Sequence, residues 1–397
     1  MPLPPSGFRL SGVHCGIKTR AGAEDIALIV SDGPSVAAGV YTQNLFRAAP
    51  VDLDRQRTPS PRIRAVVSNA GNANACTGEQ GMRDAAQMTR LVSQSCGVDA
   101  EDVLVMSTGV IGEPMPMEKI ACGIAMAANR LGTDESAFLS AARGLTTTDR
   151  SHKVVERNVD VAGGRRVAIA GMAKGAGMIG PRMATMLGVL LTDAALEPDA
   201  AQSILAEAVD ESFNAISVEG HTSTNDTVLL LASGHGSDRP LAGADLDAFR
   251  EGLASACVEL AKMIPDDGEG ATHLIAIDVR GCRTREDAKK IARTVAASPL
   301  VKCAITGGGP YWGRIVSAAG YAGVPFDPSG VSVSINGFAM FESGQPKPFD
   351  SAAASRSIRS ERETRITLTF REGSAATRFW TSDLTVAYVT FNADYKT

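Results

Sequence analysis

The chain contains no C-x-x-C pair, although it carries seven cysteines, at 15, 76, 96, 122, 257, 282 and 303. An odd number of scattered thiols argues against a disulfide framework and against a zinc site, and it fits a reducing compartment. There is no G-x-S-x-G elbow, and the five histidines (14, 152, 221, 235, 273) stand at no triad-like spacing. A hydrolase built on serine and a histidine base is therefore poorly supported. No apolar run approaches the ~18 to 20 residues of a spanning helix, and even VAIAGMAKGAGMIG carries Lys174 in its middle. The opening MPLPPSGFRLSGVHCGIKTR lacks the charged and unbroken apolar regions of a secretory signal, so a soluble, cytoplasmic protein is expected. Charge of one sign is missing too. Lys and Arg number 39 against 44 Asp and Glu, intermixed to a net −5, which argues against nucleic acid and membrane as partners and leaves small metabolites. Aromatics make up only 5% of the residues while glycine reaches 40, a balance that suggests tight turns and close backbone approaches.

What is present is a chain of 397 residues, enough for roughly two domains, in which short β-rich runs alternate with helical spacing. RIRAVVS (62–68) reads as a strand, NAGNANACTG as a turn-rich loop, and GMRDAAQMTRLVSQSCG (81–97) as a helix. VLVM (103–106) leads into STGVIGEPMP, where Gly109, Gly112 and two prolines are expected to forbid regular structure. RRVAIAGMA (165–173) and TNDTVLLLASG read as strands. A helix is expected over 199–213 with Asp199 as its cap, and another over 245–264, stopped by Pro265. HLIAIDVRG is a strand, Thr284 caps the next helix, and VSVSINGFAMF, ITLTF and LTVAYVTF make the last third β-rich. The weakest boundary, GCRT at 281–284, divides a core over 1–280 from a smaller α+β module over 281–397.

The stretch KGAGMIGPRMATMLG (174–188) raises the question of chemistry. It contains a literal G-x-G-x-x-G, at Gly175, Gly177 and Gly180, but the first carboxylate beyond it, Asp193, comes too early for a dinucleotide fold. Lys174 precedes the glycines, whereas a P-loop lysine follows them. A structural turn explains the glycines better. Thr185 offers something else: a threonine freed at its N-terminus carries its own base, because the α-amine titrates near ~7.7 to 8.0 against ~10.4 for a lysine. Ala184-Thr185, a small residue before a threonine that leads an apolar run, suits such a cut. The residues alone leave open that Thr185 merely starts a strand.

KGAGMIGPRMATMLGVLLTDA closely resembles the self-cleavage and nucleophile segment of the ornithine acetyltransferase family, the bifunctional glutamate N-acetyltransferases of arginine biosynthesis. SNAGNANACTG, STGVIG, TTTD, SFNAISVEGHTSTNDT, DDGEGAT, SPLVK, P-x-WGRI and NADYKT recur in the family's order across essentially the whole chain. The resemblance implies an α/β (α+β) layered sandwich, with central β-sheets flanked by helices and the smaller C-terminal module. It implies a precursor cut between Ala184 and Thr185, giving an α chain of 1–184 and a β chain of 185–397 that pair as a heterotetramer of two of each. Thr185 then takes the acetyl group of N-acetylornithine and passes it to glutamate. Thr108 and Gly109 match the oxyanion-hole positions, and Thr148, Lys174, Glu269, Asn392 and Thr397 match the substrate-holding ones. No metal or bound cofactor is implied, with acetyl-CoA as an optional co-substrate. Rival readings are an N-acylamino acid amidohydrolase on the same scaffold, a nucleotide-binding protein using GAGMIG, and a paralogue that binds acetylated amino acids without turnover.

The chain departs from the family pattern at three places. Gly309 and Tyr311 replace an expected aspartate and asparagine before Trp312-Gly313-Arg314. His221 stands where an acidic residue is usual, and His273 where a lysine commonly follows Gly-Ala-Thr. If these positions line the substrate site, the amino acid accepted changes with them.

Overall fold

The computed structural model describes residues 2–180, 186–237 and 239–394. Two mixed sheets organise it. In the first the strands run in the order Val103–Val110, Ser60–Asn72, Ile26–Tyr41, Thr227–Ala232, Leu187–Thr192, Arg165–Lys174, Lys153–Val161. Phe8–Val13 pairs along the first half of Ile26–Tyr41, and Thr227–Ala232 along its second half. The second sheet runs Gln345–Pro346, Phe338–Glu342, Ser332–Ile335, Glu363–Thr369, Leu274–Cys282, Ala375–Ser382, Ile216–Ser217.

Strand alternation sends Leu187, Val189, Leu191, Leu229 and Leu231 to one face of the first sheet, and Leu190, Val228 and Leu230 to the other. Both faces are covered, which is why these strands read as unbroken apolar runs. Phe138, Ala141 and Leu145 of the helix Glu135–Leu145 pack on the first face. On the second face Met88 and Ile124, from the helices Gly78–Cys96 and Met117–Ala128, close one end. The helices Pro198–Glu211 and Ala244–Asp266 close the other, burying Leu205, Phe249, Leu253 and Leu260. Ala244–Asp266 also touches strands of the second sheet, so one core runs through both sheets. The helix Arg285–Ala297, capped by Thr284 as expected, packs on Leu274–Cys282 and Ala375–Ser382. The result is the layered α/β sandwich expected from the family resemblance.

Four local expectations are corrected. The strand Val103–Val110 runs on through Thr108 and Gly109, because Ser60–Asn72 also continues through its glycine and supplies partners as far as Gly71 opposite Gly109. Pro265 does not stop its helix, which extends to Asp266; a proline in the last turn removes one terminal hydrogen bond and leaves the body of the helix intact. Asp199 is not the cap: Glu197 holds that place, Pro198 opens the helix, and Asp199 lies in the first turn where its charge favours the dipole. LTVAYVTF forms no strand. Ala375–Ser382 already fills the place beside Leu274–Cys282, and the Thr385 hydroxyl accepts the Tyr388 N–H to start a helix over Val386–Asp394. The division expected at 281–284 falls at the end of Leu274–Cys282, a strand inside the second sheet.

Candidate active site

A cleft of about 230 Å³ opens where strand ends and loops from both halves of the chain converge. Thr108 and Gly109 come from the end of Val103–Val110, and Lys174 is the last residue of Arg165–Lys174. Thr148 lies in the connection between the helix Glu135–Leu145 and the strand Lys153–Val161. Glu269 follows the helix Ala244–Asp266, and Asn392 projects from the C-terminal helix one turn beyond Tyr388. Six of the expected site residues therefore line one cleft. Ala184, Thr185 and Thr397 lie outside the described residues.

Lys174 is buried, and its Nζ donates to Thr108 Oγ1 at 3.0 Å. Burial lowers the affinity of this amine for its proton, with Asp149 working in the opposite direction. Asp149, next to Thr148 in the chain, is itself the hub of a buried polar network. It accepts Lys153 Nζ at 2.6 Å and the Gly175 N–H at 2.7 Å, while Lys153 also reaches Asp267 Oδ2 at 2.8 Å. Burial disfavours the Asp149 anion, but Lys153 and Lys174 outweigh it and hold the carboxyl at about 2. This network fixes the loop carrying Thr148 to the end of the strand carrying Lys174.

Glu269 accepts the Thr148 O–H at 2.6 Å and the Asn392 Nδ2–H at 3.0 Å, one on each oxygen. Gly177 faces this carboxylate at a distance that leaves no room for a Cβ. Gly109 has φ +135°, and a Cβ there would overlap the Gly71 backbone, so the expected oxyanion turn admits only glycine.

The block SFNAISVEGHTSTNDT carries no expected catalytic or substrate-holding residue, yet three of its members shape the site. Asn225 is buried, and its Nδ2 donates to the Ala73 and Ser107 carbonyls at 2.6 and 2.8 Å, tying the residue just past Ser60–Asn72 to the strand residue before Thr108. Asp226 is fully buried and accepts the Met186 N–H at 2.8 Å. Burial, opposed by that N–H, raises its carboxyl to about 8. Glu219 lines the cleft and is pushed up by burial to about 7. The polar cluster T-S-T-N-D was the available signal, since five polar residues preceding a fully buried strand need partners.

The departures from the family pattern separate. His221 lines the cleft. His273 does not; it is buried between Asp383 Oδ2 and the Ile358 carbonyl, each at 3.1 Å. Gly309 and Tyr311 precede the helix Trp312–Gly320 and are absent from the cleft lining, and Tyr311 is exposed, stacked under Arg314.

The sequence model of the ArgJ family matches residues 9–397. The chain belongs to the ArgJ family. Its curated relatives match end to end: the arginine biosynthesis bifunctional protein ArgJ of Rhodopirellula baltica is 49% identical over 99% of this chain and 96% of its own. That of Symbiobacterium thermophilum is 48% identical over 99% and 98%. The crystal structure of the ArgJ protein of Bacillus halodurans aligns at a TM-score of 0.51 with 34% identity, covering 52% of this chain and 98% of the solved one. That solved ArgJ chain is thus about half the length of this one. Among the described residues of this ArgJ chain, no helix is long and apolar enough to cross a membrane.

Proposed function

We propose that the chain is a glutamate N-acetyltransferase of arginine biosynthesis, moving the acetyl group of N-acetylornithine to glutamate through an acetyl-threonine on Thr185. The observation that carries this reading is the convergence of Thr108, Gly109, Thr148, Lys174, Glu269 and Asn392 on one cleft, also lined by Asn225, whose neighbour Asp226 accepts the N–H of Met186, the residue that follows Thr185.

Cleavage begins when the Thr185 hydroxyl attacks the Ala184 carbonyl and the acyl group shifts from nitrogen to oxygen. Water then hydrolyses the ester, freeing a carboxylate on Ala184 and an amine on Thr185. The pieces stay together because the strands on either side of the cut are ladder partners, from Lys174 opposite Leu187 to Ile169 opposite Thr192. Leu187–Thr192 is also held by Thr227–Ala232. The half-length solved relative is what a cut precursor presents. The two pieces would pair as two α and two β chains.

In the acylation half, Thr185 Oγ1 attacks the acetyl carbonyl while its own α-amine takes the hydroxyl proton. An ammonium can only donate, so the contact from Lys174 makes Thr108 Oγ1 the acceptor and leaves its O–H free to point into the cleft. That O–H and the Gly109 N–H are the donors for the tetrahedral oxyanion, and the nearby Lys174 charge assists them. Collapse expels the ornithine amine, which takes the proton back. The glutamate amine then attacks the acetyl-threonine and loses its proton to the Thr185 amine, which hands it to Oγ1 as the ester C–O bond breaks and N-acetylglutamate leaves. Acetyl-CoA would enter as an alternative donor in the first half.

The test is an assay with N-acetylornithine and glutamate that measures acetylglutamate and acetate together. Acetylglutamate as the main product supports the transferase. Acetate formed at the same rate with and without glutamate would show an amidohydrolase instead.

A further inference from the structure

The connection between the strands Phe8–Val13 and Ile26–Tyr41 is folded around one buried carboxylate. Asp25 accepts the backbone N–H groups of Cys15, Gly16, Ile17 and Lys18, at 2.7, 3.0, 2.8 and 3.1 Å. The curl this imposes brings the Lys18 side chain back onto its own loop, where Nζ donates to the Glu24 carbonyl and, at 3.4 Å, to the Arg143 carbonyl. Lys18 then lines a cavity of about 310 Å³ that shares no lining residue with the catalytic cleft. The connection 146–152 runs between the two. Thr147 and Thr148 line the cleft, whereas Thr146 and the residues from Asp149 to His152 line the cavity.

Charge sets this cavity apart. Lys18, Arg20, Arg143 and Arg150 line it against only Glu24 and Asp149, an excess of two positive charges in a chain whose net charge is −5. The two carboxylates are already taken, Glu24 by Arg143 at 2.6 Å and Asp149 by Lys153 at 2.6 Å. Arg150 is held by Asp267 at 3.1 Å. Lys18 and Arg20 have no carboxylate partner among the described residues, and the Arg20 side chain makes no hydrogen bond to any of them. Burial lowers Lys18 to about 8, opposed by Asp25, Asp149 and Glu24, so most of its charge remains at neutral pH. Burial, Arg143 and Lys153 together disfavour the charged form of His152, and a neutral ring still donates one N–H. A concave surface with unpaired charge of one sign concentrates ions of the other.

We propose that this cavity binds a phosphoryl group, borne by free phosphate or by a small phosphate ester, with Lys18 and Arg20 as its charged donors and His152 as a neutral one. A phosphoryl group carries about −1.5 to −2 charges at pH 7, which matches the excess on the lining, and offers three acceptor oxygens to three donors. Arginine meets such a group through its planar fork and lysine as a point charge. The assignment is independent of the acetyl-transfer reading, because a chain that hydrolyses its substrate instead would hold the anion equally.

The experiment is calorimetric titration of the full-length protein at pH 7 and constant ionic strength with inorganic phosphate, glycerol phosphate, malonate and acetate. Phosphate or its ester should bind saturably, one per chain, and more tightly than malonate, which spreads a similar charge over two planar groups. Arg20→Ala and Lys18→Met should each weaken that binding about tenfold or more, as expected for loss of a hydrogen bond to a charged group. Arg9→Ala, whose side chain pairs with Asp32 away from the cavity, should bind as wild type does. Tighter binding of the ester points to an ester as the natural ligand and equal binding to free phosphate, and either result supports the site. Binding no stronger than that of acetate, malonate held as tightly as phosphate, or unchanged affinity in both variants would overturn it. Should Lys18→Met fail to fold, Arg20→Ala decides alone, since the Arg20 side chain holds nothing in place.

Discussion

Lys174 and Thr108 lie on different strands of the first sheet, 66 residues apart in sequence, and meet through a single buried contact of 3.0 Å between Nζ and Oγ1. The lysine has no acceptor, so the contact fixes which way the threonine proton can face. Thr108→Ala should reduce kcat roughly 10² to 10³-fold, the range for loss of one oxyanion donor, with little effect on KM. Thr108→Ser should retain most of the rate. Steady-state kinetics on the cleaved enzymes checks both, and an alanine variant of wild-type kcat would remove Thr108 from the mechanism.

Asp149 ties the loop carrying Thr148 to the end of the strand carrying Lys174, and its charge is worth most where its carboxyl is ionised. The folded state holds it at about 2, below the ~3.9 of an unfolded aspartate, so its stabilisation is complete above the unfolded value and fades as pH falls from about 4 to 2. The difference corresponds to on the order of 2 kcal/mol. Asp149→Asn should lower stability at neutral pH by about 3 kcal/mol, since Lys153 stays buried with Asp267 as its remaining carboxylate partner beside the Ser151 carbonyl, and its acid limb should flatten. Denaturant titrations at several pH values measure this.

Asp226 behaves in the opposite sense. Burial raises its folded-state carboxyl to about 8, so the folded chain holds a proton that the unfolded chain releases near pH 4, and stability falls as pH rises from about 4 towards 8. Asp226→Asn keeps an acceptor for the Met186 N–H without the charge. The variant should therefore gain on wild type as pH rises across that window. A constant gap between the two melting temperatures would contradict an uncharged, buried Asp226.

Asn225 holds two carbonyls, one just past the strand Ser60–Asn72 and one within the strand Val103–Val110. Asn225→Ala should cost roughly 2 to 3 kcal/mol for two buried hydrogen bonds and the orphaned acceptors. Because Ser107 adjoins Thr108, kcat should fall as well, while KM for glutamate should change less. Unfolding curves and kinetics on the same preparation separate the two effects.

Much of this was legible in the chain. Strongly periodic helices such as Gly78–Cys96 and the fully apolar strand Leu187–Thr192 were set by their own patterns. The errors arose where a distant neighbour decides. The β-branched run at 384–391 becomes a helix because another strand holds its place, and that helix brings Asn392 to Glu269. Thr108 and Gly109 look like a loop until Gly71 is beside them. The expected site residues could be named only through the family resemblance, since Thr148 and Glu269, 121 residues apart, share no local signal. Glu219 and Asn225 were missed for a related reason: what marks them is the absence or presence of partners in space.

The central claim is that Thr185 becomes a free N-terminal nucleophile that carries the acetyl group. Its most direct test is the intact mass of the purified protein, before and after N-acetylornithine is added without glutamate, beside Thr185→Ala. Two wild-type fragments, the second beginning at Thr185 and gaining one acetyl mass that glutamate then removes, are the predicted result, with the alanine variant uncut and unlabelled. A single uncut wild-type chain, or an acetyl group on any other residue, would contradict the account.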